Sequence, residues 1–159
     1  RVSILQPGPG VGGHCIAVDP WFLVSASQHA KLIKQARLVN DSKPHWVIDQ
    51  IVEKAKAFSN PIIACLGASF KANIDDLRES PALEIIHHLQ KKSCGEVLTV
   101  EPHVTTLDSV KLVSLQDALD RANIIVVLVD HTDFKKIKHE QLQNKCVIDT
   151  KGLFKGVNT

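Results

Sequence analysis

The chain has 159 residues, of which 44% are hydrophobic and 23% charged, with a net charge of +2 when the histidines are neutral. That is the composition of a folded domain, with room for one ordinary domain or a domain and part of another. The charge is too balanced to argue for nucleic acid or a membrane surface as partner, the 4% aromatic content without any Tyr offers no base-stacking platform, and no apolar run approaches the length that spans a bilayer.

In chain order, residues 1–27 read as a strand, a Gly/Pro-rich loop and an extended or short helical segment. The chain starts at Arg1 and runs at once into Val2-Ser3-Ile4-Leu5, which predicts a piece of a longer protein. Residues 28–58 read as helix, because Leu32, Ile33, Ala36 and Val39, then Val47, Ile48, Ile51, Val52 and Ala55, recur at helical spacing. Pro44 is expected to kink or divide that helix. Ile62 to Leu66 is a short apolar strand ending at Gly67. Ser80-Pro81 opens a helix to about Lys92, with Ser as N-cap and Pro preformed for the first helical position. Val97 to Val100 is a second strand, Ser114 to Ala122 a short helix, Ile124 to Val129 a third and very apolar strand, and Cys146 to Asp149 a fourth after a short polar helix at 139–144.

Short β-branched strands alternating with helices predict parallel strands covered on both faces. The expected fold is therefore α/β, a Rossmann-like doubly wound parallel sheet over residues 61–159, preceded by a helical arm over 1–58 that packs elsewhere. Of the four cysteines, Cys65 and Cys146 lie in apolar runs and none forms a CxxC pair, so these two read as small buried hydrophobes of a reducing compartment. With no signal peptide in view, a cytoplasmic location is expected. His87, His88, His103, His131 and His139 form no metal-ligand pattern and read as surface or capping residues, so no metal is expected.

Gly8-Pro9-Gly10-Val11-Gly12-Gly13 matches the G-x-G-x-x-G string of dinucleotide sites. That fingerprint requires a helix starting within the glycines and an acidic strand end about 20 residues later. Here prolines flank the loop and the later position falls inside a helix, so the string is not read as a dinucleotide site. The glycines still allow backbone N–H groups close to a ligand. Next comes His14-Cys15-Ile16-Ala17-Val18-Asp19-Pro20. A thiol beside a tight loop, with a carboxylate four residues on, suits a nucleophile with a proton acceptor; a small packing residue beside a turn fits equally well. Asp75, Asp76 and Arg78 taken alone read as a solvated ion pair, and Lys71, just past a strand end, occupies a common ligand position of open α/β sheets.

The string PGPGVGGHCIAVDPWFL at 7–23 resembles the active-site loop of the UDP-glucose/GDP-mannose dehydrogenase family. ARLVNDSKPHWVID at 36–49, GASFKANIDDLRESPALEI at 67–85, VEPHV at 100–104 and VDHTDFK at 129–135 agree with it, so the resemblance covers nearly the whole chain. It is greatest to members that act on UDP-N-acetyl-D-mannosamine. The resemblance implies an NAD-dependent oxidation of a nucleotide sugar, with NAD as cofactor, and a homodimer or higher homo-oligomer. It divides the chain into 1–60, the catalytic-Cys loop with part of a central helical dimerisation region, and 61–159, a UDP-sugar-binding domain. Carried over by position, Cys15 is the nucleophile and Asp19 the acidic residue that handles water or protons. Arg1, Gly12, Phe70 and Lys71 meet the nucleotide sugar, and Arg78 reaches the NAD. His14 stands where many UDP-glucose enzymes have Ser, which favours an N-acetylated substrate. The family's upstream NAD domain and its catalytic Lys and Asn have no counterpart in these 159 residues, so the chain alone is expected not to turn over; Asn40 does not match that Asn. Other expectations kept open are a relative acting on UDP-glucose, UDP-N-acetylglucosamine or GDP-mannose, a non-catalytic nucleotide-sugar-binding module, and a redox-active thiol protein.

Overall fold

The computed structural model describes residues 4–154. Its elements are α1 (Asp19–Ala26), α2 (Lys31–Ala55), β1 (Ile62–Leu66), α3 (Pro81–Lys92), β2 (Glu96–Val100), α4 (Leu115–Arg121), β3 (Ile124–Val127) and β4 (Cys146–Asp149), with single turns of 3-10 helix at Phe134–Lys136 and His139–Leu142. The strands form one parallel sheet in the order β2-β1-β3-β4. The α/β Rossmann-like expectation is met.

Alternation along the strands fills two cores. Ile63 and Cys65 of β1 and Ile124 and Val126 of β3 face α2 and α3, whereas Ala64, Leu66, Ile125 and Val127 face α4, Phe134 and Leu142. All four residues of β3 are buried, which is why it reads as a continuous apolar run instead of an alternating one. Each buried Ile or Leu contributes roughly 1.5–3 kcal/mol through its loss of contact with water. Cys65, wholly buried, has its thiol pushed up to about 12 by desolvation, and behaves as a hydrophobe.

Three expectations about the N-terminal part change. Residues 4–6 form no strand; residues 1–3 lie outside the described range. Pro44 does not divide the helix, since α2 runs unbroken across it. Proline removes one donor, leaving the Asn40 carbonyl without its helical partner, at a cost of about 3 kcal/mol. The turns beyond it bury Val47, Ile48, Ile51 and Ala55, and that burial outweighs the loss. For the same reason the arm does not pack elsewhere along its whole length: the second half of α2 belongs to the core with α3. The first half, with Leu32, Leu38 and Val39, and α1, with Phe22 and Leu23, leave large apolar side chains exposed.

The order β2-β1-β3 makes the chain leave β1 towards one edge and return to β3 on the other side, so the carboxyl ends of β1 and β3 form the crevice where such sheets take ligands. Three loops meet there around one carboxylate. Glu101, just after β2, is buried. Its Oε2 accepts from the N–H groups of Ala68 (2.8 Å) and Ser69 (3.1 Å) and lies 3.1 Å from His131 Nε2; its Oε1 accepts from the His103 N–H at 3.0 Å. His131 Nδ1 accepts from the Asn73 N–H at 2.9 Å, so that nitrogen carries no proton and Nε2–H is the donor to Glu101. Asn73, at φ 62°, returns through Oδ1 to the Thr132 N–H at 2.9 Å. The expectation that His131 is a surface or capping residue is corrected: it is fully buried, and it joins the loops after β1, β2 and β3. Ser80 adds a further tie. Its Oγ accepts from the Leu83 N–H to cap α3 and donates to the Ala68 carbonyl at 2.6 Å.

Two outcomes follow from this packing. Gly67 has φ +94°, and a Cβ there would lie 2.4 Å from Val129 Cβ, so Gly67→Ala is expected to destabilise the fold by about 3 kcal/mol, read from the urea midpoint. Desolvation raises the Glu101 pKa, but the hydrogen bonds from His131, Ala68 and His103 outweigh it, and the carboxyl titrates below its ordinary range. Its stabilisation is therefore complete above the ordinary carboxylate range and is lost as pH falls through the lowered value. Glu101→Gln is expected to cost about 3 kcal/mol at pH 7, and the difference from the parent in urea melts should shrink as pH falls through the lowered value.

Candidate functional site

The glycine loop lies across the start of α3. A Cβ on Gly12 would meet the Glu79 carbonyl at 2.0 Å and Pro81 Cδ at 2.7 Å, so only glycine allows this approach. Gly13, at φ +91°, lies against the Phe70 ring, where a Cβ would come within 2.8 Å, and its N–H donates to the Arg78 carbonyl at 3.2 Å. The other side of the loop is held by α2. The Val11 N–H donates to Asn40 Oδ1 at 2.8 Å and the Val11 carbonyl accepts from Asn40 Nδ2 at 3.2 Å. The loop neither follows a strand nor enters a helix at its glycines, since α1 begins only at Asp19. This is not dinucleotide-fingerprint geometry.

Cys15 is exposed in the turn after the glycines. Its carbonyl accepts from the N–H groups of Val18 (3.0 Å) and Asp19 (2.8 Å), which closes the turn and starts α1 with Asp19 at the first position. A carboxylate there is favoured by the helix dipole. Phe70, Lys71 and Arg78 all lie on the segment between β1 and α3, outside the carboxyl end of β1. Ser69 Oγ donates to the Lys71 carbonyl at 2.8 Å, and the Phe70 N–H donates to the Asp76 carbonyl at 3.2 Å, folding the segment on itself.

Arg78 chelates Asp76 through Nε (3.0 Å) and Nη2 (2.6 Å). Asp76 is held at about 2, first by the Arg78 side-chain hydrogen bonds and next by the Arg78 N–H. Arg78 is raised above its ordinary value, first by its bond to Asp76 and in smaller part by the nearby Cys15 sulfur. A polar cleft of about 440 Å³ opens beside the loop, lined in part by Val11, Ala17, Trp21, Arg37, Asn40 and Glu79.

Of the residues singled out in the sequence, the structure thus brings Cys15, Gly12, Phe70 and Arg78 into one neighbourhood. Asp19 is one turn from Cys15, and Lys71 is on the same segment as Phe70. Arg1 lies outside the described residues. Sequence reasoning passed over Asn40, Arg37, Glu101 and His131, whose roles depend on partners about 30 or more positions away. Their one sequence signal was membership of the resembling strings. In dinucleotide-binding sheets the acid after β2 takes the ribose hydroxyls. Glu101 occupies that place, yet its oxygens are engaged by Ala68, Ser69, His103 and His131, so this sheet lacks the ribose handle of an NAD site. Arg78, bonded to Asp76 through Nε and Nη2, leaves most of its side chain open to solvent.

Comparison with known proteins places these residues. Residues 64–156 match the UDP binding domain of the UDP-glucose/GDP-mannose dehydrogenase family, and residues 1–42 match that family's central domain. The chain is 55% identical to an NDP-N-acetyl-D-galactosaminuronic acid dehydrogenase of Ralstonia solanacearum, over 97% of this chain and 38% of the relative. It is 48% identical to the UDP-N-acetyl-D-mannosamine dehydrogenase of Escherichia coli K12, over 98% of this chain and 40% of that protein. The solved UDP-N-acetyl-mannosamine dehydrogenase of Staphylococcus aureus superposes with a TM-score of 0.76 at 39% identity, covering 98% of this chain and 37% of that one. The chain therefore spans about two fifths of the length of the relatives it matches. Domain matches over both halves of the chain and close identity to several sugar-nucleotide dehydrogenases make it a member of the UDP-glucose/GDP-mannose dehydrogenase family.

Proposed function

We propose that this chain is the C-terminal part of an NAD-dependent UDP-N-acetyl-D-mannosamine 6-dehydrogenase, and that it carries the nucleophile and most of the nucleotide-sugar site. Residues 1–60 supply the catalytic-Cys loop and part of a central helical dimerisation region, and residues 61–159 the UDP-sugar-binding domain. The observation that carries this reading is the seating of the Cys15 loop on the Phe70–Arg78 segment, with Gly13 against the Phe70 ring and bonded to the Arg78 carbonyl, at the carboxyl end of β1. The protein is expected to act in the cytoplasm as a homodimer or higher homo-oligomer. No helix among the described residues is long and apolar enough to cross a membrane.

In this scheme the C6 alcohol is oxidised by four electrons to a carboxylate. NAD, when bound, would supply the hydride acceptor for each of the two oxidations, and Arg78 would hold it. Cys15 adds as thiolate to the aldehyde, keeping the half-oxidised sugar in the site as a thiohemiacetal. Its oxidation leaves a thioester on Cys15, which water cleaves to acid and free thiol. Asp19, on the first turn after Cys15, takes a proton from that water. Phe70 and Lys71 face the nucleotide sugar, Lys71 as a charge-assisted donor to its phosphates, Gly12 opens the loop to substrate, and Arg1 contacts the sugar.

His14 and the 48% identical mannosamine dehydrogenase favour an acetamido sugar. The 55% identity to an NDP-N-acetyl-D-galactosaminuronic acid dehydrogenase favours a second reading, the same chemistry on an N-acetylgalactosamine nucleotide. Full-length natural protein, given NAD and a panel of UDP-N-acetylmannosamine, UDP-N-acetylgalactosamine, UDP-N-acetylglucosamine and UDP-glucose, separates these. About two NADH per UDP-N-acetylmannosamine is the expected yield, and two NADH from a different sugar changes the substrate while keeping the mechanism. No NADH from any of them, with folded protein, leaves a non-catalytic sugar-nucleotide module.

The 159-residue chain alone is expected not to turn over. In the full protein, Cys15→Ser is expected to lower acid formation by roughly a thousandfold or more, and acid at the parent rate would sink the thioester route. Asp19→Asn is expected to slow hydrolysis roughly a hundredfold, so that intact-protein mass spectrometry finds the acyl adduct on Cys15.

A further inference from the structure

The exposed thiol must be presented at a fixed place, yet the segment that carries it, residues 7–18, belongs to no helix or strand. Two contacts set its position. On one side Gly12 and Gly13 rest on Glu79, Pro81 and Phe70. On the other, Asn40 meets Val11 with both ends of its amide, accepting from the N–H at 2.8 Å and donating to the carbonyl at 3.2 Å. This two-point contact fixes both the distance and the plane of the Val11 peptide, which a single hydrogen bond does not.

Asn40 is itself oriented. Its Nδ2 also lies 3.2 Å from Asp41 Oδ1, and Asp41 accepts from Arg37 Nη2 at 2.6 Å. Arg37, with only 9% of its surface exposed, extends Nη1 to the same Val11 carbonyl at 3.5 Å. Its Nε is buried without a partner, so the guanidinium is held here against the cost of one unmatched donor. Pro44 leaves the Asn40 backbone carbonyl without a helical donor, and Gly10 lies against that carbonyl, where a Cβ would come within 3.7 Å. The turn of α2 that contacts the loop therefore includes the break that its proline makes in the helix ladder.

We infer that Asn40, supported by Arg37 and Asp41, is a positioning residue that holds the glycine loop and sets where Cys15 stands relative to Arg78 and Phe70. The inference deepens the dehydrogenase reading, for which Cys15 must meet an aldehyde at a defined distance, but the clamp itself is a property of the loop. Asn40 touches no reacting atom in this scheme. It acts four residues upstream of Cys15, through Val11, Gly12 and Gly13.

The test reads the thiol directly. The rate of Cys15 carbamidomethylation by iodoacetamide is measured by peptide mass spectrometry from pH 6 to 9. The chains compared are the parent, Asn40→Ala, Asn40→Asp and, as control, Ser42→Ala, whose hydroxyl only donates to the Val39 carbonyl on the outer face of α2. Asn40→Ala is expected to change the neutral-pH rate about fivefold or more, because the loop that presents the sulfur loses its tie to α2. Asn40→Asp keeps the acceptor for the Val11 N–H and should recover part of the difference. Ser42→Ala should match the parent. Urea midpoints should stay close in all four, since the core begins further along α2, at Val47. In the full protein Asn40→Ala should lower kcat about tenfold or more, with little change in nucleotide-sugar affinity. A Cys15 rate unchanged in folded Asn40→Ala chains, or an Asn40→Asp rate no nearer the parent than that of Asn40→Ala, would overturn the inference. Because this arm needs no turnover, it gives its answer even where the parent oxidises no nucleotide sugar and the dehydrogenase reading fails.

Discussion

A single buried carboxylate sets the shape of this molecule's working edge. Glu101 would be costly to bury without compensation, since an unpaired carboxylate in an apolar interior is strongly disfavoured. Its oxygens meet three backbone N–H groups and one imidazole N–H, from the loops after β1, β2 and β3. Breaking any of these leaves a polar group unmatched in the interior, so the loops are fixed together. Phe70, Lys71 and Arg78 sit on the first of these loops, and their place beside the sheet rests on this buried acid. The same arrangement removes the ribose-binding acid of an ordinary dinucleotide sheet.

The Cys15 loop is then laid on this edge from outside. It is built of glycines because two other backbone and ring surfaces occupy the space where side chains would go. At Gly12 the obstacle is the Glu79 carbonyl, and at Gly13 it is the Phe70 ring together with a left-handed φ. The loop has no ladder of its own, so its position is inherited from α3 beneath it and α2 beside it. This explains why α2 is divided in character though continuous in path. Its second half is core, its first half presents Asn40 to the loop and leaves Leu32, Leu38 and Val39 exposed. On α1, Phe22 and Leu23 are exposed as well.

The fold was largely legible from the residues. Strand period, Gly67, the Ser80-Pro81 and Ser114 caps and the all-apolar β3 act within a few positions, so local sequence carries them. At Pro44 the helix continues undivided: the tendency of proline to break helices is local, and the burial of Val47, Ile48 and Ile51 against α3 and the sheet is not. β3 also ends before the apolar run does. Leu128 and Val129 stay buried but turn both their N–H groups to the Leu66 carbonyl, leaving the ladder to enter the crevice.

What the sequence by itself determined is therefore the α/β order, the glycine-bounded thiol and, through its strings, the family. Each is encoded in neighbouring residues or in an unbroken motif. Only the tertiary structure decided that Gly13 lies on Phe70, that Asn40 grips Val11 across 29 positions, and that Glu101 and His131 meet across 30. The physical reason is that hydrogen bonds and close packing act over a few ångströms of space whatever the separation along the chain. A buried polar residue looks like a surface one in sequence until the fold supplies its partners.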